Sequence, residues 1–216
     1  MEQIITIAIY IHAFFGGIGL ITGIASAIVK KGSSLHKKLG KLFSIGMFTS
    51  SIISLPIACM PNHENPFLFA IGLFTIYLVV TGNRALNFKP KQKTKVGNID
   101  KIISGSMVII SLLMTLYGAF GLIKGNSQFT LYAFFGGFGL LLSIKDFSFY
   151  KNFKNQKNAW LLNHIRKISG ALIASITAFI VAGIGIGSLL AWILPSVIGT
   201  FYIIYWTRKY KPKKTS

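Results

Sequence analysis

The chain has 216 residues, of which 52% are hydrophobic, and it carries 23 Lys and Arg against four Asp and Glu, a formal net charge of +19. Soluble domains carry about 25% charged residues, whereas this chain carries 12%, so the composition excludes an ordinary soluble domain. The basic residues flank long apolar segments and form no separate basic region, which argues against nucleic-acid binding. A single cysteine, Cys59, excludes an internal disulfide and a multi-cysteine zinc site within this sequence.

Seven segments are long and apolar enough to cross a membrane, which takes roughly 20 mainly apolar residues each. Lys145 and Asp146 interrupt the fifth segment near its end, and Gly185 with its flanking glycines divides the last long uncharged run into two. The pattern predicts an all-α integral membrane protein with one transmembrane domain over residues 1–216. We place its helices 1 to 7 near residues 4–29, 42–60, 66–87, 102–123, 129–149, 168–187 and 189–207.

The basic residues favour every second gap between these helices. All of the 23 Lys and Arg except Lys124 fall in the gaps after helices 1, 3 and 5, in the adjoining ends of helices 3 and 5, or in the tail after helix 7. Because cytoplasmic loops collect Lys and Arg, we expect the N-terminus outside and the C-terminus inside. Six helices would place the basic tail outside, so the charges favour seven. The basic side is expected to lie against anionic lipid headgroups.

An eight-residue motif occurs twice, at 13–20 in helix 1 and at 133–140 in helix 5, with seven of the eight positions identical. Weaker similarity relates the starts of helices 2 and 6, which contain His36 and His164, and the ends of helices 3 and 7. This predicts a parallel internal repeat, with units at about 4–88 and 129–208 and helix 4 as the connector. Chance recurrence of Phe and Gly is the alternative. Close helix packing is the favoured role of the motif glycines.

Three motifs resemble a known family. They are His12-Ala13 with Gly16, the Lys- and Gly-rich turn over 30–40, and the Thr-Gly-x-Arg-Ala-Leu ending over 81–86. Together they are similar to a family of multi-pass bacterial membrane proteins classed as a domain of unknown function. The resemblance covers most of the chain and implies a protein of the bacterial cytoplasmic membrane. It implies no activity.

Histidines are the main candidates for chemistry, because the four acidic residues are expected at or beyond helix ends and no carboxylate is expected in mid-membrane. His12 lies inside helix 1 and is a candidate substrate contact, or a neutral imidazole bonded across a helix interface. His36 and His164 open helices 2 and 6 and are candidate cofactor-binding residues, as the two axial ligands of a b-type haem. The alternative is that both lie in basic loops near lipid headgroups.

A short segment at the outer end of helix 2 is a weaker candidate. It contains Cys59, Met60, His63 and Glu64, soft and nitrogen ligands of a kind that suits copper. The spacing matches no specific metal template, so an ordinary short loop is the favoured interpretation.

Three functions remain open on the sequence. The first is membrane redox through a haem between helices 2 and 6. The second is a small-molecule or lipid transporter or binding protein, with its site between the two repeats and His12 as the polar contact. The third is a non-catalytic membrane subunit. The sequence does not decide whether the chain is an enzyme.

Overall fold

A computed structural model of the protein describes residues 2–90 and 95–212. Lys91, Lys93, Lys213 and Lys214 of the charge pattern lie outside the described residues. Within the described part there is no β-strand, and seven helices are long and apolar enough to span a membrane. They are α1 (Glu2–Ile28), α2 (Ser34–Ile57), α3 (Pro66–Arg84), α4 (Asn98–Ile123), α5 (Thr130–Asn152), α6 (Ala159–Ala178) and α7 (Leu189–Tyr210). The all-helical fold with seven candidate spans is confirmed, while orientation and repeat stay predictions.

The second helix begins well before its predicted start at residue 42. Ser33 caps it, because its side chain accepts a hydrogen bond from the backbone N–H of His36 at 3.1 Å. The cap therefore adds a polar first part, including His36 and Lys37, to a helix whose apolar part was correctly located. A local hydrogen bond, and not hydropathy, sets this boundary.

The observed bounds of α5 and α6 also differ from the predicted ones, and here the difference changes where charged residues lie. The predicted segments were 129–149 and 168–187, but α5 continues to Asn152 and α6 begins at Ala159. Asp146 and Lys167 were expected at a helix end and in a basic loop, and both lie inside helices and are buried. A single turn of π-helix, Phe179–Gly183, follows α6.

The chain divides into two compact units. The first contains Met1–Val79 and Gly170–Ser196, and the second contains Val80–Ser169 and Val197–Ser216. Helices α1 and α2 belong to the first, α4 and α5 belong to the second, and α3, α6 and α7 contribute residues to both.

Glycines allow close helix packing within each unit. In the first unit, a Cβ at Gly19 of α1 would lie 2.8 Å from the Met47 sulfur of α2. In the second unit, Gly136 and Gly139 of α5 meet residues of α4, including Ser111. The packing role expected for these glycines is therefore what the contacts support. The glycines of α1 face the helix that follows it, whereas those of α5 face the helix that precedes it, and the repeat stays a prediction.

The surface of the helices is strongly apolar. Large hydrophobic side chains are exposed along several helices, among them Ile4 and Tyr10 of α1, Ile109 of α4 and Leu190 and Phe201 of α7. Soluble monomers rarely expose apolar surface on this scale. The exposure supports a multi-pass membrane protein whose helices face lipid.

Candidate functional site

A buried ion pair lies in the second unit. The ammonium of Lys167 in α6 donates to Asp146 Oδ2 in α5 at 2.9 Å, and the two side chains are 2% and 1% exposed. Lys167 Nζ also donates to the backbone carbonyl of Leu142 at 3.2 Å. Removing two charges from water is costly, and close pairing with further hydrogen bonds compensates for it. The helix rise puts Asp146 about 9 Å from the end of α5 and Lys167 about 12 Å from the start of α6.

Two hydroxyl groups extend the pair toward the start of α4. Ser104 Oγ donates to Asp146 Oδ2 at 3.0 Å and lies 2.8 Å from the Tyr150 hydroxyl. The Tyr150 hydroxyl also donates to the Asp100 carbonyl at 3.1 Å. Ser104 is fully buried, whereas Tyr150 is partly exposed. The carboxylate of Asp146 is thus joined through two hydroxyls to a partly exposed position.

A second ion pair lies beyond Tyr150. Arg84, the last residue of α3, donates through Nε to Asp100 Oδ1 at 2.6 Å. The other carboxylate oxygen of Asp100 accepts from the backbone N–H of Gly97 at 3.1 Å, at the start of α4. Asp100 therefore caps α4 and pairs with Arg84, which accounts for its burial in an apolar protein.

Aromatic rings surround Tyr150. Phe88 is buried and its ring stacks on Tyr150 with centroids 6.0 Å apart. The same Phe88 ring meets Phe149 at 5.1 Å and Phe153 at 4.9 Å, both edge-on. This aromatic cluster, Phe88, Phe149, Tyr150 and Phe153, places apolar rings beside the Tyr150 end of the hydroxyl chain, and an apolar environment strengthens hydrogen bonds.

Each histidine predicted as a site residue bonds a backbone carbonyl through Nδ1. His12 meets Ser50 O at 2.9 Å and Ser50 Oγ at 3.0 Å, across the α1–α2 contact. His36 meets Ser26 O at 3.0 Å, and His164 meets Gly82 O at 2.8 Å. For His12 this is the expected alternative of an imidazole bonded across a helix interface.

These contacts also bear on the predicted haem ligands. A neutral imidazole that donates through Nδ1 carries its lone pair on Nε2, the arrangement found in metal-bound histidines. His36 belongs to the first unit and His164 to the second, and their pairing stays a prediction. His36 bonds α1, whereas His164 bonds α3.

The segment with Cys59, Met60, His63 and Glu64 contains no group of three His, Cys, Asp or Glu side chains suited to hold a metal ion. Cys59 is an exposed free thiol. Among residues 2–90 and 95–212, no three His, Cys, Asp or Glu side chains form a group suited to hold a metal ion.

Sequence reasoning missed the polar network, which consists of Arg84, Asp100, Ser104, Asp146, Tyr150 and Lys167. Asp146 and Lys167 carry opposite charges, and each lies a similar number of residues from the short connection between α5 and α6. In a helical hairpin such positions lie at similar depth on adjacent helices, so their pairing was the available signal.

No protein-family model, curated protein or solved structure matches the chain.

Proposed function

We propose that this protein is a multi-pass protein of the bacterial cytoplasmic membrane that binds or transports a small molecule, with the Asp146–Lys167 pair as the polar centre of its site. The observation that carries the proposal is the near-complete burial of both charges inside apolar helices. Ionisable residues within membrane helices are rare and mark substrate or ion pathways. The alternation of basic residues supports a position for this site near the cytoplasmic face.

His12 serves the contact between α1 and α2, and the Asp146–Lys167 pair takes its place as the polar centre of the site. The Nδ1 atom of His12 bonds Ser50, and Ser50 Oγ donates back to the His12 carbonyl at 3.0 Å. These bonds use His12 to hold α1 against α2. The Asp146–Lys167 pair offers both a donor and an acceptor to a solute that displaces one partner from the other.

Solute binding by purified protein tests the proposal. The melting temperature in a neutral detergent is measured with a panel of neutral, cationic, zwitterionic and anionic small solutes. We expect at least one solute to raise the melting temperature of the wild type, and Asp146→Asn and Lys167→Met to weaken or alter that response by at least tenfold in solute concentration. Lys145→Met is the matched control, because Lys145 is exposed beside Asp146 on α5. Equal responses in all variants, or no response to any solute, contradict the proposal and favour a non-catalytic subunit.

A second candidate is membrane redox through a b-type haem with His36 and His164 as ligands. What supports it is the Nδ1 bond of each ring to a backbone carbonyl, a contact that is usual for metal-bound histidines. The visible spectrum of the detergent-purified protein, oxidised and reduced, tests it. We expect a sharp reduced alpha band that His36→Ala or His164→Ala abolishes, and a colourless protein contradicts this candidate.

A further inference from the structure

We infer that Asp146 accepts a proton through Tyr150 and Ser104, and that its protonation releases Lys167 to bind a small anion, so that the solute of this site is an anion that moves with a proton. The inference rests on the proposed function and deepens it by naming the solute class. It starts from the contacts of the pair itself, because Asp146 Oδ2 accepts from both Lys167 and Ser104.

Charge balance selects an anion. In the observed state one negative and one positive charge cancel at the buried pair. When Asp146 takes up a proton, its carboxyl becomes neutral and the Lys167 ammonium loses its counter-charge in an apolar environment. A small anion that accepts hydrogen bonds from Lys167 restores neutrality. The site then carries one proton and one monoanion with no net change in charge, and when the proton leaves, Asp146 reclaims Lys167 and the anion is released.

The hydroxyl chain supplies a route for the proton. A hydroxyl group both donates and accepts hydrogen bonds. Ser104 already donates toward Asp146 at 3.0 Å, and Tyr150 lies 2.8 Å from Ser104. Ser104 passes its proton to Asp146, Tyr150 passes its own to Ser104, and water at the partly exposed Tyr150 replaces the last one. The Asp100 carbonyl competes for the Tyr150 proton at 3.1 Å, so rotation of this hydroxyl opens or closes the route.

The surrounding charges fit this assignment. The charged or titratable groups around the pair include Tyr150 of α5, beyond it Asp100 of α4 with Arg84 of α3, and Arg166 beside Lys167 on α6. Arg84 Nε pairs with Asp100 Oδ1 at 2.6 Å, whereas Lys167 pairs with Asp146. The basic residues that flank the helix ends raise the local concentration of anions. A cation near the protonated site would be repelled by the Lys167 ammonium.

Proteoliposomes test the coupling. The protein is reconstituted in phosphatidylcholine vesicles that hold a pH-sensitive dye, and inward gradients of chloride, nitrate or inorganic phosphate are imposed one at a time. We expect at least one gradient to acidify the wild-type lumen. Tyr150→Phe is expected to slow acidification at least tenfold without changing anion affinity. Tyr10→Phe, at an exposed tyrosine of α1, serves as the matched control and is expected to leave the rate unchanged.

The Asp146→Asn variant separates binding from coupling. An amide at this position mimics the protonated acid, so we expect anion binding without pH dependence and no acidification. Infrared difference spectra of the wild type provide a second measurement that needs no active variant. Two of the four acidic residues are aspartates, Asp100 and Asp146. A protonated-carboxyl band that appears on acidification and shifts with 13C-labelled aspartate is therefore expected to persist in Asp100→Asn.

Failure of proton-coupled anion transport and failure of the proposed solute-binding function give different results. If the solute panel identifies a cation or a neutral solute, the proposed function stands and the anion is overturned. If an anion binds but moves no protons, the coupling is overturned. Normal acidification by Tyr150→Phe overturns the proton route alone. If binding at low pH requires phosphatidylglycerol in the vesicles, the anion is a lipid phosphate and coupled transport is overturned. No binding by any solute overturns both proposals.

Discussion

Lys167 and Asp146 each depend on the other for their burial. The ammonium has the carboxylate at 2.9 Å and a backbone carbonyl at 3.2 Å, and the carboxylate has a serine hydroxyl at 3.0 Å. Either side chain without the other is a buried charge that has lost its opposite charge. Replacing one of the two residues is therefore expected to destabilise the protein more than replacing both.

Lys167→Met is expected to destabilise the protein by about 3–5 kcal/mol, the range for breaking one side of a buried pair. The double variant Lys167→Met with Asp146→Leu is expected to recover most of that loss, because it leaves no buried charge. Melting in detergent at neutral pH measures both, with exposed Lys145→Met as the control. A single variant as stable as the wild type contradicts the account of the pair.

Lys31 offers a test outside the membrane spans. Its ammonium donates to the last carbonyls of α1, Ala27 O at 2.5 Å and Ser26 O at 3.1 Å. Partial burial lowers the pKa of Lys31 from the ordinary value of 10.5. The folded chain therefore releases this proton before the unfolded chain does, so titration of Lys31 adds stability as pH rises from the lowered pKa to 10.5.

The measurement for Lys31 is its acylation by an amine-reactive reagent as a function of pH, followed by peptide mass spectrometry. The neutral amine is the reactive form, so we expect the midpoint of the Lys31 profile below 10.5. The profile of the detergent-unfolded chain supplies the reference. A midpoint at or above the reference contradicts the burial of this group.

At the scale of elements, the α1–α2 contact depends on glycine. A Cβ at Gly46 of α2 would lie 2.8 Å from the Phe15 carbonyl and 2.9 Å from the Gly19 nitrogen. Both are backbone atoms, which move only if the helices separate. Gly17 has no atom within 4 Å of the same position, and the two glycines form a matched pair for substitution.

Gly46→Ala is expected to cost about 1–3 kcal/mol through overpacking. Gly17→Ala is expected to be neutral or to stabilise by up to about 1 kcal/mol, because alanine is the better helix former. Thermal melting of both variants in one detergent gives the comparison. Equal melting temperatures would show that α1 and α2 do not pack this closely.

The helices themselves were predictable, and the boundaries of α5 and α6 were not. Apolar segments of membrane length identify a helix without knowledge of its neighbours. Lys167 and Asp146 could not be placed in this way. Each charge lowers the hydropathy of its own segment, and its partner on the other helix cannot be identified from that segment alone. The start of α2 shifted for a different reason, since the Ser33 cap is a local bond with no hydropathy signal.

The candidate site was predictable only in part. His12, His36 and His164 were identified by residue type, but the carbonyl that each ring contacts depends on packing. Asp146 occupies the place in the second motif-bearing helix that Ser26 has in the first. His36 bonds Ser26, and Lys167 bonds Asp146. The predicted repeat pairs His36 with His164 and not with Lys167, so these two contacts join equivalent positions of α1 and α5 to non-equivalent residues of α2 and α6.

At the scale of the whole molecule, the charge pattern predicts the topology. Reporter fusions are expected to place residues 61–65 and 124–128 outside the cell, and 89–100 and 209–216 inside. Each reporter is active on one side of the membrane, so paired reporters at each position control for expression. A C-terminus found outside contradicts the orientation and moves the Asp146–Lys167 pair to the opposite side of the membrane.

The Asp146–Lys167 pair also constrains biogenesis. A lone Asp or Lys at the centre of an inserting helix costs about 2.5–3.5 kcal/mol, and the cost is smaller but still unfavourable toward the ends. Only the short segment between Asn152 and Ala159 joins α5 to α6. If the two helices leave the translocon together, each charge enters lipid already neutralised by the other. The α5–α6 hairpin is therefore expected to insert at a lower free-energy cost than the same two helices inserted one at a time.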